Sequence, residues 1–200
     1  MTKTLKLPAP QKDLDFPLIK ALEKRRSIRK WKDEQLSNQQ LSNILWAACG
    51  ITKEETKTSK SKRTAPSACN SQEIKIYVAT KDGLFLYDEK QHQLIQTLSK
   101  DIRGNIGTQK MMHSTPVGLV YVSDYSKMTN FLFKDDERKW YTSAADTGFI
   151  SQNVYLYCAS AKLNTVVLGL VDREKLHEIM NLKDHEKVVY TQVIGKAPDE

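Results

Sequence analysis

From Asp146 to Leu163 the chain reads DTGFISQNVYLYCASAKL, and apolar residues cover most of a helical circumference. No charge stands between Asp146 and Lys162, so the usual division into an apolar stripe and a charged face is missing. The pattern predicts a helix buried on nearly all sides, in a core or a subunit interface, with Asp146 as its cap. Ser151, Gln152 and Asn153 lie within it, and each needs a partner, from a neighbouring helix or from a ligand. The run from Thr165 to Leu170 is apolar throughout, which predicts a central strand.

Two periods organise the remainder. Leu18, Ile19 and Leu22 after Pro17 predict a short helix with those side chains facing inward. Leu36, Leu41, Ile44, Leu45 and Trp46 predict a second helix over 33–50, capped by Ser37 and ended by Gly50. Ile74, Ile76 and Val78 alternate as in a strand, Asp82-Gly83 marks a turn, and Leu84 to Tyr87 returns. Val117–Val122 is the strongest strand and Val188–Ile194 the closing one. Helices are also expected over 101–112 and 172–180, and an exposed loop over 52–62. Residues 1–15 are polar and contain Pro8 and Pro10, which predicts an extended arm that frays or wraps a partner. Residues 16–200 read as one domain. The fold class is α+β, a sandwich with an antiparallel or mixed sheet covered by helices.

Composition narrows the function classes. With 200 residues, 40% hydrophobic and 28% charged, the chain suits one soluble domain. No apolar run reaches membrane-spanning length, and the N-terminus lacks the apolar segment of a secretion signal. The expectation is a cytoplasmic protein with no membrane partner. Cys49, Cys69 and Cys158 follow no disulfide or metal spacing, and His92, His113, His177 and His185 lack the spacing of a zinc helix, so no metal is expected. The net charge is +7, and residues 1–63 carry all of the excess, with 15 Lys and Arg against 7 Asp and Glu. Such a region suits a nucleic acid, an anionic surface or a phosphorylated small molecule. No nucleic-acid-binding motif accompanies it, so that partner is not expected.

The basic excess peaks at Lys24, Arg25, Arg26, Ser27, Arg29 and Lys30. These residues are either a solvated helix end or a phosphate clamp. Alternation at 25, 27 and 29 aims two guanidinium forks and a hydroxyl the same way along an extended chain. Residues 63–72, RTAPSACNSQ, form the second unusual stretch. Pro66 keeps Ala65 extended, while Ser67, Asn70 and Ser71 can cap a turn or offer polar groups to a ligand. Trp31 reads as a packing anchor and Cys69 as a small filler. No nucleophile elbow, phosphate loop or dinucleotide glycine pattern is present.

Taken in order, RRSIR at 25–29, APSACNSQ at 65–72, the helix 146–163, TVVLG at 165–169 and VIGKAP at 193–198 resemble the nitroreductase family of flavin enzymes. RTAPSACNSQEIKIYVATKDGLFLYD is most similar to the azoline-oxidase branch, the SagB-type dehydrogenases. The resemblance covers about residues 18–198. It implies FMN bound at the interface of an intertwined homodimer. Arg25, Arg26, Ser27 and Arg29 would hold the ribityl phosphate. Pro66, Ser67, Ala68 and Asn70 would reach the isoalloxazine from the neighbouring subunit, and Val167, Leu168 and Gly169 would pass beside the ring. Classical members supply a further basic phosphate ligand beyond the last glycine segment, for which Lys196 is the nearest substitute here. The implied reaction moves electrons from NAD(P)H to a small organic acceptor of nitro or quinone type. Two alternatives are a dehydrogenase or oxidase of an organic substrate such as an azoline peptide, and a flavin-binding protein without turnover. No acid–base residue is demanded, because the ring carries the redox chemistry.

Overall fold

The structure is a computed structural model, and it describes residues 3–109 and 114–199. Four helices are present in it: α1 (Leu18–Lys24), α2 (Asn38–Cys49), α3 (Asp136–Ser160) and α4 (Arg173–Met180). The strands are β1 (Thr4–Lys6), β2 (Ile51–Lys53), β3 (Lys62–Arg63), β4 (Ile74–Thr80), β5 (Gly83–Asp88), β6 (Gln93–Leu98), β7 (Val117–Asp124), β8 (Leu163–Leu168) and β9 (Glu186–Lys196). Seven of them form one sheet in the order β1-β6-β5-β4-β7-β9-β8, while β2 and β3 pair separately. Every pairing in the large sheet is antiparallel.

Period-two alternation sorts the side chains into two cores. Ile74, Ile76, Val78, Leu119 and Tyr121 enter a core beneath α2 and α3. Tyr77, Ala79, Val120, Val122 and Val166 enter the opposite one, where α4 contributes Leu176 and Met180. β7 is buried at all eight positions, so its run is apolar on both faces. Polar groups in this interior are paired: Tyr121 Oη donates to Gln192 Oε1 at 2.6 Å, and Gln192 Nε2 donates to Thr165 Oγ1 at 3.1 Å. α2 begins as expected, with Ser37 and Gln40 forming a reciprocal capping box.

Several expectations are corrected. The long helix starts at Asp136, capped by Asp135, whose side chain accepts from the Arg138 N–H at 2.8 Å. Asp136 and Glu137 in the first turn suit the positive end of the helix dipole, so the charged stretch 135–140 is helical. Asp146 is therefore mid-helix. Within the single chain the helix is enclosed on one side and leaves the other to the subunit-interface reading. Ser143, Thr147, Ile150, Ser151, Val154 and Cys158 form its buried stripe, while Tyr141, Ala145, Gly148 and Phe149 are exposed. Ser151 Oγ donates within the helix, to the Gly148 carbonyl, instead of to a ligand.

β8 is an edge strand, not a central one. Its apolar composition reflects cover on both faces, since Thr165, Val166 and Leu168 are buried. In α1 only Ala21 is buried, and Leu18, Ile19 and Leu22 face outward, the reverse of the expected orientation. The extended N-terminal segment is neither frayed nor free. Thr4–Lys6 pairs with β6, Leu7 is buried, and the Pro8 carbonyl accepts from Ser42 Oγ at 2.6 Å. The expected helix over 101–112 is reduced to a short 3-10 turn at Arg103–Asn105, and residues 110–112 lie outside the described residues.

Gly195 sets how closely the chain after α1 can approach the sheet. A Cβ at this position would stand 2.5 Å from Trp31 Cβ and 3.1 Å from Pro116 Cδ. Gly195→Ala should therefore cost about 1–3 kcal/mol of stability by overpacking. Urea unfolding should show a lower midpoint with an unchanged slope.

Candidate active site

The chain after α1 lies along the open edge of β8. The Ile28 N–H donates to the Thr165 carbonyl at 3.0 Å, and Asn164 Nδ2 donates to the Lys30 carbonyl at 2.8 Å. One side chain ties this segment to both α3 and β8. Tyr155 Oη lies 2.9 Å from Ser27 Oγ and accepts from the Val167 N–H at 2.9 Å. The Arg25 guanidinium stands over the same ring, 5.3 Å from its centre. Arg25, Ser27 and Val167 are thus brought together, while Leu168 is buried behind them and Gly169 is exposed. Ser27 and Arg29 are exposed too, so a guanidinium and a hydroxyl are open to an anion.

Two of the expected basic residues point elsewhere. Arg26 Nη1 donates to the Glu23 and Arg25 carbonyls, closing the end of α1. Lys196 is ion-paired with Glu34. Arg173, which the sequence did not mark, supports the segment beyond β8. Its guanidinium donates to the Val189 carbonyl at 2.9 Å and the Gly169 carbonyl at 3.3 Å, and lies against the Trp140 ring.

The turn at 66–72 forms the other half. Cys69, Asn70 and Gln72 all have positive φ, at 53°, 49° and 52°. Three left-handed non-glycine residues in four positions are costly, and must be held by their surroundings. The holding bonds are specific. Ser67 Oγ accepts from the Gln72 N–H at 3.0 Å, and the Ser61 carbonyl accepts from Asn70 Nδ2 at 3.1 Å and Gln72 Nε2 at 2.7 Å. Pro66 and Cys69 are exposed, the latter against the expectation of a filler, and Ser67, Ala68 and Asn70 are half-buried.

The turn is anchored to α3 by a carboxyl group. Asp146 Oδ2 accepts from the Ala68 N–H at 2.9 Å. Asp146 is 3% exposed, and its neighbour Glu73 is fully buried. Glu73 Oε2 accepts from Ser71 Oγ at 2.6 Å, while Glu73 Oε1 is buried without a donor of its own. Burial drives the Asp146 pKa up to about 7, the Ala68 N–H opposes this, and the charge and hydrogen bond of Glu73 add to it. A proton on the Asp146 carboxyl is the donor that the orphan Glu73 Oε1 lacks. This pair also escaped the sequence reading, since Glu73 and Asp146 are 73 positions apart.

Asp146 and Tyr155 are nine residues apart on one helix, about 13 Å along its axis and half a turn around it. The two halves of the site therefore lie on opposite flanks of α3. Between them runs the uncharged stripe Tyr141, Ala145, Gly148, Phe149, Gln152 and Leu156, exposed or half-buried throughout.

Among the described residues no cluster of His, Cys, Asp or Glu could hold a metal, and no helix is long and apolar enough to cross a membrane. His92 is a half-buried histidine with both ring nitrogens partnered, 2.7 Å from Ser42 Oγ and 2.8 Å from Tyr87 Oη, while His113 lies outside the described residues.

The model of the Nitroreductase family matches residues 22–196. A candidate nitroreductase of Ralstonia eutropha, known from a crystal structure, is 36% identical with a TM-score of 0.88, over 98% of this chain and 90% of its own. A candidate nitroreductase of Methanocaldococcus jannaschii is 27% identical over 92% of this chain and 94% of its own. The Escherichia coli microcin synthetase complex with truncated pro-MccB17 bound shares the fold, with a TM-score of 0.70 at 16% identity over 96% of this chain and 77% of that one.

The buried carboxyl pair has a pH signature. The folded protein holds the Asp146 proton more tightly than the unfolded chain does. Its contribution to stability is therefore greatest near pH 4, falls as pH rises toward about 7, and is level above that. Asparagine at this position still accepts from Ala68 and donates to Glu73 without titrating. The stability of Asp146→Asn should therefore gain on that of the wild type between those pH values, in urea unfolding followed across the range. A difference that stays constant with pH would show that no proton is shared.

Proposed function

Since the chain belongs to the nitroreductase family and is an oxidoreductase, we propose that it binds FMN between two copies of itself and passes electrons from NAD(P)H to a small organic acceptor of nitro or quinone type. The observation that carries this reading is the junction at Tyr155, where Arg25, Ser27 and the Val167 backbone meet. The donor set fits a phosphate: a guanidinium held against a ring, an open hydroxyl, and the exposed Arg29 on the same extended segment.

Bound there, the flavin supplies hydride and electron chemistry. The chain's own task is to bind, orient and shield. Arg25 and Arg29 would neutralise the phosphate, and Ser27 would donate a hydrogen bond to it. Tyr155 locks the side chain of Ser27 and the backbone of Val167 to one helix, so that phosphate clamp and ring wall keep a fixed spacing. Asp146 fixes Ala68, and with it the turn that offers Ser67 and Asn70. Positions on opposite flanks of α3 favour a site completed by a second copy. An uncharged stripe between the two halves, with Leu18, Ile19 and Leu22 exposed on α1, is the kind of surface a homodimer covers.

A second reading is a dehydrogenase or oxidase of an organic substrate, such as an azoline peptide. The likeness of residues 63–87 to the azoline-oxidising branch favours it. Anaerobic mixing with NADH and with NADPH separates the two. Bleaching of the flavin band, reversed by a quinone, supports nicotinamide-driven reduction. A flavin that only dithionite reduces would sink that reading and leave the second.

Arg25→Ala with Arg29→Ala should weaken FMN by about a hundredfold or more, at the charged-hydrogen-bond scale of about 1.5–3 kcal/mol each, and leave riboflavin affinity nearly unchanged. Flavin fluorescence titration measures both, and equal loss for the two ligands would remove the phosphate clamp. Light scattering should return twice the chain mass of 22.9 kDa, and a monomer retaining FMN would show that no partner is needed.

A further inference from the structure

Beside the turn 66–72 a second cleft opens, with a volume of about 370 Å³. Ser71 and Gln72 of the turn form one wall; Lys60, Arg63, Lys90 and Lys127 supply cations, against the carboxylates of Glu55 and Glu89. Both carboxylates are already taken. Arg63 is ion-paired with Glu89, and Lys90 Nζ with Glu55 Oε2 at 3.1 Å. Lys60 and Lys127 therefore remain with no carboxylate in ion-pair reach among the described residues.

Lys60 is exposed, but Lys127 and its neighbour Arg63 do not lie on a solvated surface. The Arg63 side chain is only 7% exposed, and its Nε is buried without an acceptor. Lys127 Nζ donates to the Gln72 carbonyl at 3.1 Å, a neutral partner. Burial first, and then the Arg63 charge, lower the Lys127 pKa. Lys127, confined beside the Arg63–Glu89 pair with only a neutral partner, and the orphan Nε of Arg63 leave a local demand for negative charge. The excess is built into the wall of the strained turn.

We propose that this cleft is an anion-binding subsite, taking the phosphate or carboxylate of a molecule whose reacting end lies on the far side of the turn. The proposal rests on the flavin reading above for its use, though not for its chemistry. Lys127 is the central ligand, Lys60 sits at the rim, and Arg63 closes the floor. The cleft is too large for an isolated phosphate group alone, so the anionic group enters with part of its carrier. Two sources share this chemistry: the pyrophosphate of the nicotinamide donor, and a carboxylate on the organic acceptor.

The test uses the purified full chain at low salt. Calorimetric titration with inorganic pyrophosphate and with benzoate should show binding of at least one. Lys127→Ala should weaken that binding about tenfold or more, on the scale of a charged hydrogen bond. Lys60→Ala, at an exposed position, should weaken it less, and covers the case in which the first variant fails to fold. Kinetics then distinguish the sources. A raised KM for NADH and NADPH, with none for 1-benzyl-1,4-dihydronicotinamide, assigns the subsite to the donor's phosphates. A raised KM for 4-nitrobenzoate, with none for nitrobenzene, assigns it to the acceptor's carboxylate. Absence of binding by both anions, or binding that neither variant weakens, overturns the proposal. A protein that takes up no flavin still answers the calorimetric arm, so failure of the flavin reading is recognised separately.

Discussion

A strand at the edge of a sheet presents a row of N–H and C=O groups open to unwanted pairing, and the site follows from how the edge of β8 is covered. Its edge is not matched by another long strand. It is closed by the Ile28 N–H, by the hydroxyl of Tyr155, and by the side chain of Asn164 reaching back to Lys30. Closing the edge in this way holds the basic segment against the sheet beside Val167 and leaves Ser27 and Arg29 open to solvent. The same bonds that protect the fold thus bring Arg25, Ser27 and Val167 together, the junction on which the proposed phosphate clamp rests.

α3 carries both halves of the site and divides them. Its buried stripe fixes it to the sheet through Ile150, Val154 and Cys158. Asp146 and Tyr155 project from its two flanks, one to the strained turn and the other to the basic segment. The long apolar helix is for this reason more than a core element: it sets the spacing between the basic segment and the strained turn, on its two flanks. The open stripe between them is free of charge, which lets a second copy pack there without desolvating ions.

The turn stores conformational cost and spreads its support. Three residues in left-handed geometry persist because Ser61, Ser67 and Asp146 each satisfy polar groups that the unusual backbone presents. Burial of two carboxyls against each other ties that support to a proton. The neighbouring cationic cleft uses the outer wall of the same turn, so one short segment separates two regions of opposite electrical character.

Local periodicity is enough to specify β4, β5, β7 and β9, α2 with its capping box, α4, and the α+β class, because each depends on spacing within a few residues, whereas the short β1, β2 and β3 carry no periodic signal of their own. The basic run, the Pro66 turn and the apolar segment at 165–169 were visible for the same reason, and their order carried the family. What sequence reading missed involves contacts distant along the chain. An apolar run looks alike in a central strand and in an edge strand covered on both faces, so β8 was misplaced. Apolar positions on α1 were read as inward although they face out, since periodicity identifies a stripe and not its partner. Nothing local marks Tyr155 as the link between Ser27 and Val167, or pairs Glu73 with Asp146, or turns Arg26 and Lys196 away toward neighbouring groups. Those assignments depend on tertiary packing, which alone decides what a polar atom has within 3 Å once water has been excluded.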